Sequence, residues 1–313
     1  MSATISAAPG LSATSPLIEA AALYEVIQGG ACQPGAAHRV RVLDLRWSPK
    51  APGARPLYRE AHIPSALFVD LDADLSQIGG PGRHPLPPTE RLAALLGRLG
   101  IDSATHVVVY DEGAGAYAAR LWFMLRIHGH AKASLLNGGL AAWRAAGLPL
   151  APGEETAAPV GPPSLRLDES RLVAHAEVRR LLLERGAGGP GKPLLLDARA
   201  RPRYRGDLEP LDPRPGHIPG AVNAPFEESV VSAADPRFLS ADELRKRLEG
   251  VGAAAASEVV VTCGSGVTAC HTALAMELAG FAPPRLYVGS YSEWSRRAEE
   301  PVATGSEPGQ LEQ

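Results

Sequence analysis

Four short landmarks occur twice in this chain of 313 residues, in the same order and at nearly constant spacing. The pairs begin at Asp44 and Asp197, His62 and His217, Val107 and Val259, and Leu135 and Leu286. The two members of each pair lie 151 to 155 positions apart. A constant period of this length indicates two fused copies of one domain.

Each copy alternates short Val- and Leu-rich runs with longer helical patterns such as Thr89 to Leu99 and Ser240 to Leu248. This alternation is typical of a parallel sheet covered by helices. We therefore predict an α/β fold with two tandem domains, each a mostly parallel sheet covered by helices on both faces. The predicted segments are a disordered lead-in over 1–15, a first domain over 16–150, a linker rich in Pro, Gly and Ala over 151–164, a second domain over 165–302 and a flexible tail over 303–313.

The composition excludes several classes of protein. A net charge of −3 implies neither a nucleic acid nor an anionic membrane as a partner, and no apolar run reaches the length of a membrane span. The chain has three cysteines, a small and odd number, which argues against a disulfide framework. Residues 1–15 lack the basic and apolar blocks of a secretory signal. We expect a cytoplasmic protein.

The stretch with the most evident chemistry surrounds Cys263. Three valines, Val259 to Val261, predict a buried strand, and the run Thr272 to Leu278 before Gly280 predicts a short buried helix. Cys263 therefore lies where the carboxyl end of a strand meets the amino end of a helix. In parallel α/β sheets, ligands bind beyond this end of the strands.

The glycine-rich turn after the cysteine predicts an anion cradle. Glycines allow consecutive N–H groups to face inward, and the cradle is predicted to consist of Gly264, Ser265, Gly266, Val267 and Thr268. Such a cradle favours the nucleophilic thiolate of Cys263. The alternative is a buried structural cysteine, which is the interpretation that we favour for Cys270.

The sequence Cys-Gly-Ser-Gly-Val-Thr at 263–268 resembles the active-site loop of the rhodanese-type sulfurtransferases, in particular of their 3-mercaptopyruvate branch. The thiosulfate-specific branch usually carries Arg and Lys where this chain has Gly264 and Ser265. With the repeat, the resemblance to a tandem rhodanese protein extends over roughly residues 38–302.

This resemblance implies a sulfurtransferase that needs no metal or organic cofactor. A sulfur atom of 3-mercaptopyruvate would pass through a persulfide on Cys263 to cyanide, a small thiol or a thioredoxin-like protein. Thiosulfate as donor and a non-catalytic rhodanese-like binding module remain alternatives. A phosphatase with a Cys-x5-Arg loop is disfavoured because Ala269 stands at the arginine position.

The repeat also separates structural residues from candidates for catalysis. Asp111 stands in the first copy where Cys263 stands in the second, so we predict an inactive first domain. The strand-end residues Asp44 and Asp197 are predicted to cap backbone N–H groups, because both copies have one. For the same reason, we interpret His62 and His217 as structural.

The resemblance further implies a donor-binding arginine at Arg203. A second family arginine normally follows Glu-Pro, but this chain departs from that pattern. Arg214 is therefore either a second substrate contact from a differently shaped loop, or the contact is missing.

Two residues of the first copy complete the predicted site. By resemblance, Asp72 would form a triad with Ser265 and Cys263, although it could equally cap a helix. His84 would lie beside the donor.

Overall fold

The structure is a computed structural model that describes residues 15–33, 35–36, 39–48 and 53–312. The predicted disordered lead-in lies outside the described residues except for Ser15. The chain divides into two compact units. The first comprises the described parts of Met1–Leu75, Pro87–Leu167 and Ala234–Arg237, and the second comprises those of Ser76–Leu86, Asp168–Ala233 and Phe238–Gln313. Each unit thus contains one copy of the repeat and a short segment from the other copy.

Within its described residues, the first unit has a parallel sheet of five strands in the order β1-β5-β4-β2-β3. The strands are β1 (Leu17–Ile18), β2 (Val40–Asp44), β3 (Ala66–Phe68), β4 (His106–Tyr110) and β5 (Ala133–Leu136). The helices are α1 (Ala20–Gln28), α2 (Arg55–Glu60), α3 (Thr89–Arg98), α4 (Ala118–Ile127) and α5 (Gly139–Ala145). In β2, Val42 pairs with Val108 on one side and with Ala66 on the other.

The second unit repeats this order as β6-β10-β9-β7-β8, again counted over its described residues. Its strands are β6 (Leu172–Val173), β7 (Leu194–Asp197), β8 (Val222–Asn223), β9 (Val259–Thr262) and β10 (Arg285–Tyr287). Its helices are α6 (His175–Arg185), α7 (Arg201–Arg205), α8 (Ala241–Gly250), α9 (Thr268–Leu278) and α10 (Ser290–Trp294). Two α/β domains with parallel sheets flanked by helices are confirmed.

The cores explain why these apolar runs form strands and helices. Strand β4 is buried along its whole length, and helix α9 is buried from Ala269 to Met276, as expected for the central elements of a covered parallel sheet. Trp143 and Trp294 occupy equivalent positions in the two cores, and their indole N–H groups donate to the carbonyls of Pro149 and Pro301 at 2.9 and 2.7 Å. In the described part of the chain, no helix is long and apolar enough to cross a membrane.

The strand-end aspartates are structural, as predicted. Asp44 accepts a hydrogen bond from the backbone N–H of Arg46 at 2.9 Å, and Asp197 accepts one from that of Arg199 at the same distance. Each arginine also donates its Nε to the same carboxylate, and all four side chains are buried. These ion pairs fix the turn that follows each strand.

The two His-Ile-Pro histidines are also structural. His62 and His217 are fully buried, and their Nδ1 atoms lie 2.8 and 2.9 Å from the carbonyl oxygens of Tyr58 and Tyr204. Each imidazole stacks on the ring of the same tyrosine, with centroids 4.2 and 3.7 Å apart. The identical arrangement in both units explains why the pattern is repeated.

The structure differs from the prediction at the linker and the tail. The linker segment packs on the first unit, where Ala151 exchanges two 2.9 Å backbone hydrogen bonds with His62. The tail packs on the second unit, where the N–H of His217 donates to Ala303 and Leu311 is buried in the core. Both segments form hydrogen bonds with backbone groups that lie outside the sheets. The composition of the two segments could not reveal these contacts.

Candidate active site

Cys263 lies directly after strand β9 and before helix α9, in the predicted strand–loop–helix arrangement. Its backbone is held by the start of helix α10, because its N–H donates to Ser290 Oγ at 3.2 Å and its carbonyl accepts from the N–H of Tyr291 at 3.0 Å. The side chain is 1% exposed. The sulfur is thus fixed at the carboxyl end of the second sheet.

The glycine turn brings a backbone donor to this sulfur. The N–H of Gly266 lies 3.1 Å from Cys263 Sγ and donates to it. Gly266 has a φ of +75°, and a Cβ at this position would lie 2.6 Å from the carbonyl oxygen of Val288, so only glycine fits. Ser265, Val267, Thr268 and Gly264 remain predicted members of the cradle.

Cys270 supports the same turn from within helix α9. It is fully buried, and its thiol donates to the carbonyl of Gly266 at 3.3 Å. This contact agrees with the interpretation of Cys270 as a packed residue rather than a reactive one.

The structure brings His84 to the loop. His84 belongs to the segment Ser76–Leu86 of the second unit, and its Nδ1 lies 2.7 Å from Ser265 Oγ. Ser265 is 7% exposed and is adjacent in sequence to the glycine that donates to the sulfur. An imidazole on a nearly buried hydroxyl can fix its orientation and exchange a proton with it.

Arg203 lies beside the loop, as predicted. A Cβ placed on Gly264 would be 3.3 and 3.5 Å from its two terminal nitrogens. The guanidinium is paired with two buried carboxylates, those of Glu209 at 2.6 Å and of Asp212 at 3.2 Å. Its terminal nitrogens border the loop, whereas its charge is balanced by these carboxylates.

Arg214 does not have the geometry of a substrate arginine. Its Nε donates to the carbonyl of Ser295 at 2.8 Å and its Nη1 to that of Glu300 at 2.7 Å. Its Nη2 donates to the carbonyls of Trp294 and Arg297 at 3.1 and 2.8 Å. All three nitrogens thus satisfy carbonyls at and beyond the end of helix α10, which is a structural task.

Sequence reasoning missed Arg83, the neighbour of His84. A Cβ on Gly264 would lie 2.8 Å from Arg83 Nη2, and the Nη1 of Arg83 is hydrogen-bonded to Asp212. Its backbone N–H donates to Ser292 Oγ at 3.0 Å. The signal in the sequence was its place next to His84, which the resemblance puts beside the donor.

Asp72 lies in the first unit. Its carboxylate accepts a hydrogen bond from the indole N–H of Trp47 at 2.9 Å, and its backbone N–H donates to Asp70 Oδ1 at 2.9 Å. The predicted triad of Asp72 with Ser265 and Cys263 stays a prediction.

The equivalent loop of the first unit is occupied by Asp111. Its buried carboxylate accepts hydrogen bonds from four backbone N–H groups, at distances between 2.8 and 3.3 Å. The donors are Gly113, Gly115, Tyr117 and Ala118. Burial raises the pKa of this carboxyl, and the four N–H groups oppose that rise. The loop is therefore an anion cradle that already holds an acidic side chain of its own chain.

Two further observations concern the side chains that are present. Helix α9 and the loop before it carry no Arg or Lys between positions 263 and 280, so the arginine of a Cys-x5-Arg phosphatase loop is missing. Among the residues that the structure describes, no group of three or more His, Cys, Asp or Glu side chains is arranged to hold a metal ion.

Comparisons with known proteins give concordant results. The family model of the rhodanese-like domain matches residues 23–146 and 180–297. The probable 3-mercaptopyruvate sulfurtransferase of Pseudomonas aeruginosa is 47% identical over 271 residues, which cover 84% of this chain and 92% of that protein. Human 3-mercaptopyruvate sulfurtransferase is 38% identical over 280 residues, which cover 87% and 91%.

A solved structure has the same architecture. The crystal structure of SseA from Escherichia coli, described as a 3-mercaptopyruvate sulfotransferase with the rhodanese fold, superimposes with a TM-score of 0.75. It is 31% identical, and the match covers 90% of this chain and all of that one. The fold of both units is thus shared with a protein of known structure.

Proposed function

The chain belongs to the rhodanese-like family, and we propose that it is a sulfurtransferase that takes sulfur from 3-mercaptopyruvate. The observation that supports the proposal most strongly is the hydrogen bond from the N–H of Gly266 to the sulfur of Cys263, which lies at the end of a parallel strand. The relatives named 3-mercaptopyruvate sulfurtransferase support the same donor. The sulfurtransferase predicted from the cysteine loop therefore agrees with these relatives.

The reaction is a double displacement on Cys263. The thiolate attacks the sulfur of 3-mercaptopyruvate, an S–S bond forms, and the C–S bond breaks with its electron pair passing to carbon. The resulting enolate takes the proton of the transferred thiol and leaves as pyruvate, so that Cys263 holds an anionic persulfide. The backbone N–H groups of the turn stabilise this anion.

The second half-reaction returns the thiolate. An acceptor nucleophile attacks the terminal sulfur of the persulfide, the S–S bond breaks, and its electron pair passes to Cys263. Cyanide, a small thiol or a thioredoxin-like protein can each serve, because each presents a soft nucleophile.

Ser265 and His84 are proposed to assist the departure of pyruvate. The hydroxyl of Ser265 supplies a hydrogen bond for the charge that develops on the donor, and His84 holds this hydroxyl through Nδ1. The triad of Asp72 with Ser265 and Cys263 is retained as a proposal, and Asp72→Asn should lower kcat while leaving the thermal midpoint nearly unchanged.

Thiosulfate is the competing donor, and its two negative charges distinguish it. Gly264 and Ser265 add no charge to the loop, and the guanidinium of Arg203 is already paired with carboxylates. Such a site favours a donor with one carboxylate over a dianion. The ratio of kcat/KM for the two donors tests this, and equal values would refute the charge argument.

The cellular setting is proposed to be the cytoplasm. Cys32, Cys263 and Cys270 are all free thiols, which suits a reducing compartment. The same fact suits the chemistry, because a disulfide would remove the nucleophile.

The direct test of the function is turnover of purified protein. With 3-mercaptopyruvate and cyanide, the wild type should release pyruvate and thiocyanate, and Cys263→Ser should release neither. The matched control is Cys270→Ser, which should keep most of the activity because a serine hydroxyl can donate the same hydrogen bond to the carbonyl of Gly266. A protein that binds the donor without turnover would instead be a binding module.

A further inference from the structure

The segment that brings His84 to the cysteine loop has no regular secondary structure. Residues 76–86, all of which the structure describes, belong to the second unit and form irregular turns rather than a helix or strand. His84 Nδ1 nevertheless lies 2.7 Å from Ser265 Oγ. Because an irregular segment lacks the regular hydrogen bonds of a helix or sheet, this contact depends on how the segment is anchored.

The buried hydroxyl of Ser292, in helix α10, anchors the segment. Ser292 Oγ accepts a hydrogen bond from the backbone N–H of Arg83 at 3.0 Å and donates one to the carbonyl of Gly289 at 2.9 Å. The side chain of Ser292 is fully buried. Arg83 immediately precedes His84, so the hydroxyl fixes the backbone next to the imidazole.

The backbone of Ser292 is bonded to the cysteine loop. Its N–H donates to the carbonyl of Gly264 at 2.9 Å, and Gly264 is the residue between Cys263 and Ser265. Ser292 therefore contacts both partners of the short contact between His84 and Ser265. Its hydroxyl holds the segment that carries the imidazole, and its N–H holds the loop that carries the serine.

Close packing accompanies this hydrogen bond. Gly82 has a φ of +78°, and a Cβ at this position would lie 2.6 Å from the carbonyl oxygen of Gly289 and 2.9 Å from Ser292 Oγ. The absence of a side chain at Gly82 thus allows the segment to approach the start of helix α10 closely.

The repeat separates the part of this arrangement that both copies share from the part that the second copy adds. Ala141, in helix α5, stands 151 positions before Ser292. Its N–H donates to the carbonyl of Glu112 at 2.9 Å, just as the N–H of Ser292 donates to that of Gly264. The backbone hydrogen bond is common to both copies, whereas the hydroxyl occurs in the copy that has Cys263. Alanine therefore meets the structural need of the helix, and the hydroxyl requires a further explanation.

We propose that Ser292 is a positioning residue that holds His84 against Ser265 while pyruvate departs. The inference rests on the proposed function, and it assigns the hydroxyl of Ser292 no contact with the donor. Loss of this hydroxyl leaves the N–H of Arg83 without its acceptor and allows the segment to shift. A displacement of about 1 Å at a catalytic group is sufficient to slow a reaction strongly.

The first variant is Ser292→Ala, which should fold because Ala141 occupies the equivalent position of the first copy. With 3-mercaptopyruvate, kcat should fall about 5- to 30-fold and KM should stay within about twofold of the wild type, because the hydroxyl does not bind the donor. The matched control is Ser295→Ala at the end of helix α10. Ser295 Oγ is also buried but has no hydrogen-bond partner among the described residues, so this variant should leave kcat unchanged.

A double-mutant cycle with His84→Ala separates positioning from a general structural role. If Ser292 acts through His84, adding Ser292→Ala to His84→Ala should change kcat by less than about twofold, because the group that Ser292 positions is already missing. A loss of about 5- to 30-fold in both backgrounds would overturn the inference, since the hydroxyl would then act on the loop or on the fold as a whole.

Amide hydrogen exchange gives a readout that does not depend on turnover. In Ser292→Ala, the amide of Arg83 should exchange at least about tenfold faster, while the rate of Cys263 alkylation stays at the wild-type value. An unchanged exchange rate would overturn the anchoring role, whether or not the protein is active. An inactive wild type would contradict the proposed function, whereas an active wild type with an unchanged kcat in Ser292→Ala would contradict only the role of Ser292.

Discussion

Asp111 and Cys263 occupy equivalent positions in the two units: each follows the central strand of its sheet, and each accepts hydrogen bonds from the backbone of the turn that comes next. In the first unit, the acceptor is a carboxylate with four N–H donors. In the second unit, it is a sulfur atom. The same local fold thus serves as a closed structural cradle in one copy and as a candidate active site in the other.

The first prediction concerns the carboxylate of Asp111. Asp111→Ala leaves four backbone N–H groups without their acceptor, and buried unsatisfied donors are costly. We expect the free energy of unfolding to fall by about 2–4 kcal/mol, measured by urea denaturation. Asp242→Ala, at an exposed position of helix α8, should change it by less than about 1 kcal/mol. A near-neutral Asp111→Ala would show that the carboxylate does not hold the loop.

A second prediction concerns the backbone of the catalytic turn. Gly266→Ala places a Cβ 2.6 Å from the carbonyl oxygen of Val288 at a φ of +75°, so the turn must move and its N–H must leave the sulfur. We expect sulfur transfer to fall at least about 100-fold, as when a preorganised donor is lost. Steady-state pyruvate release measures this.

The matched control for Gly266 is another glycine with positive φ. Gly252 has a φ of +93°, and a Cβ at this position would have nothing within 4 Å, so Gly252→Ala introduces strain without a clash. It should lower stability by about 1 kcal/mol and keep activity. Equal losses of activity in both variants would contradict the special role of the turn.

The third prediction uses the contact between His84 and Ser265. Because the two side chains are hydrogen-bonded to each other, they should act as one unit in catalysis. His84→Ala and Ser265→Ala should each lower kcat about 10- to 100-fold, and the double variant should be hardly worse than either. Additive losses in this cycle would show that the residues act independently.

The fourth prediction concerns the selectivity of thiol alkylation. Burial raises the pKa of Cys32 to about 11, with nearby Arg41 opposing the rise, so Cys32 stays a thiol at neutral pH. Its rate of reaction with iodoacetamide should rise about tenfold for each pH unit until about pH 11. Cys263 should be labelled first at pH 7, as peptide mapping can establish. Preferential labelling of Cys32 would contradict a reactive nucleophile in the loop.

Local sequence patterns were sufficient to predict those parts of the fold that depend on residues close together in the chain. Val259 to Val261 and the turn with Gly264 and Gly266 predict the strand, loop and helix around Cys263 from neighbours in the chain alone. The repeat then identified Asp111 as its counterpart. Periodicity and glycine positions act over a few residues, which is why they could be interpreted directly.

Residues that reach the site from distant segments could not be predicted in this way. Arg83 is far from Gly264 along the chain, and only the packing of Ser76–Leu86 in the second unit brings them together. Arg214 lies in the expected region, but carbonyls at and beyond the end of helix α10 accept hydrogen bonds from its guanidinium. Both outcomes depend on tertiary contacts, which leave no periodic signal in the sequence.

The most direct measurement of the central claim is the mass of the peptide that contains Cys263 after brief treatment with 3-mercaptopyruvate and no acceptor. The account predicts a gain equal to one sulfur atom on Cys263, its loss on addition of cyanide, and no such gain on Cys32 or Cys270. An unmodified Cys263 in protein that releases pyruvate would contradict it.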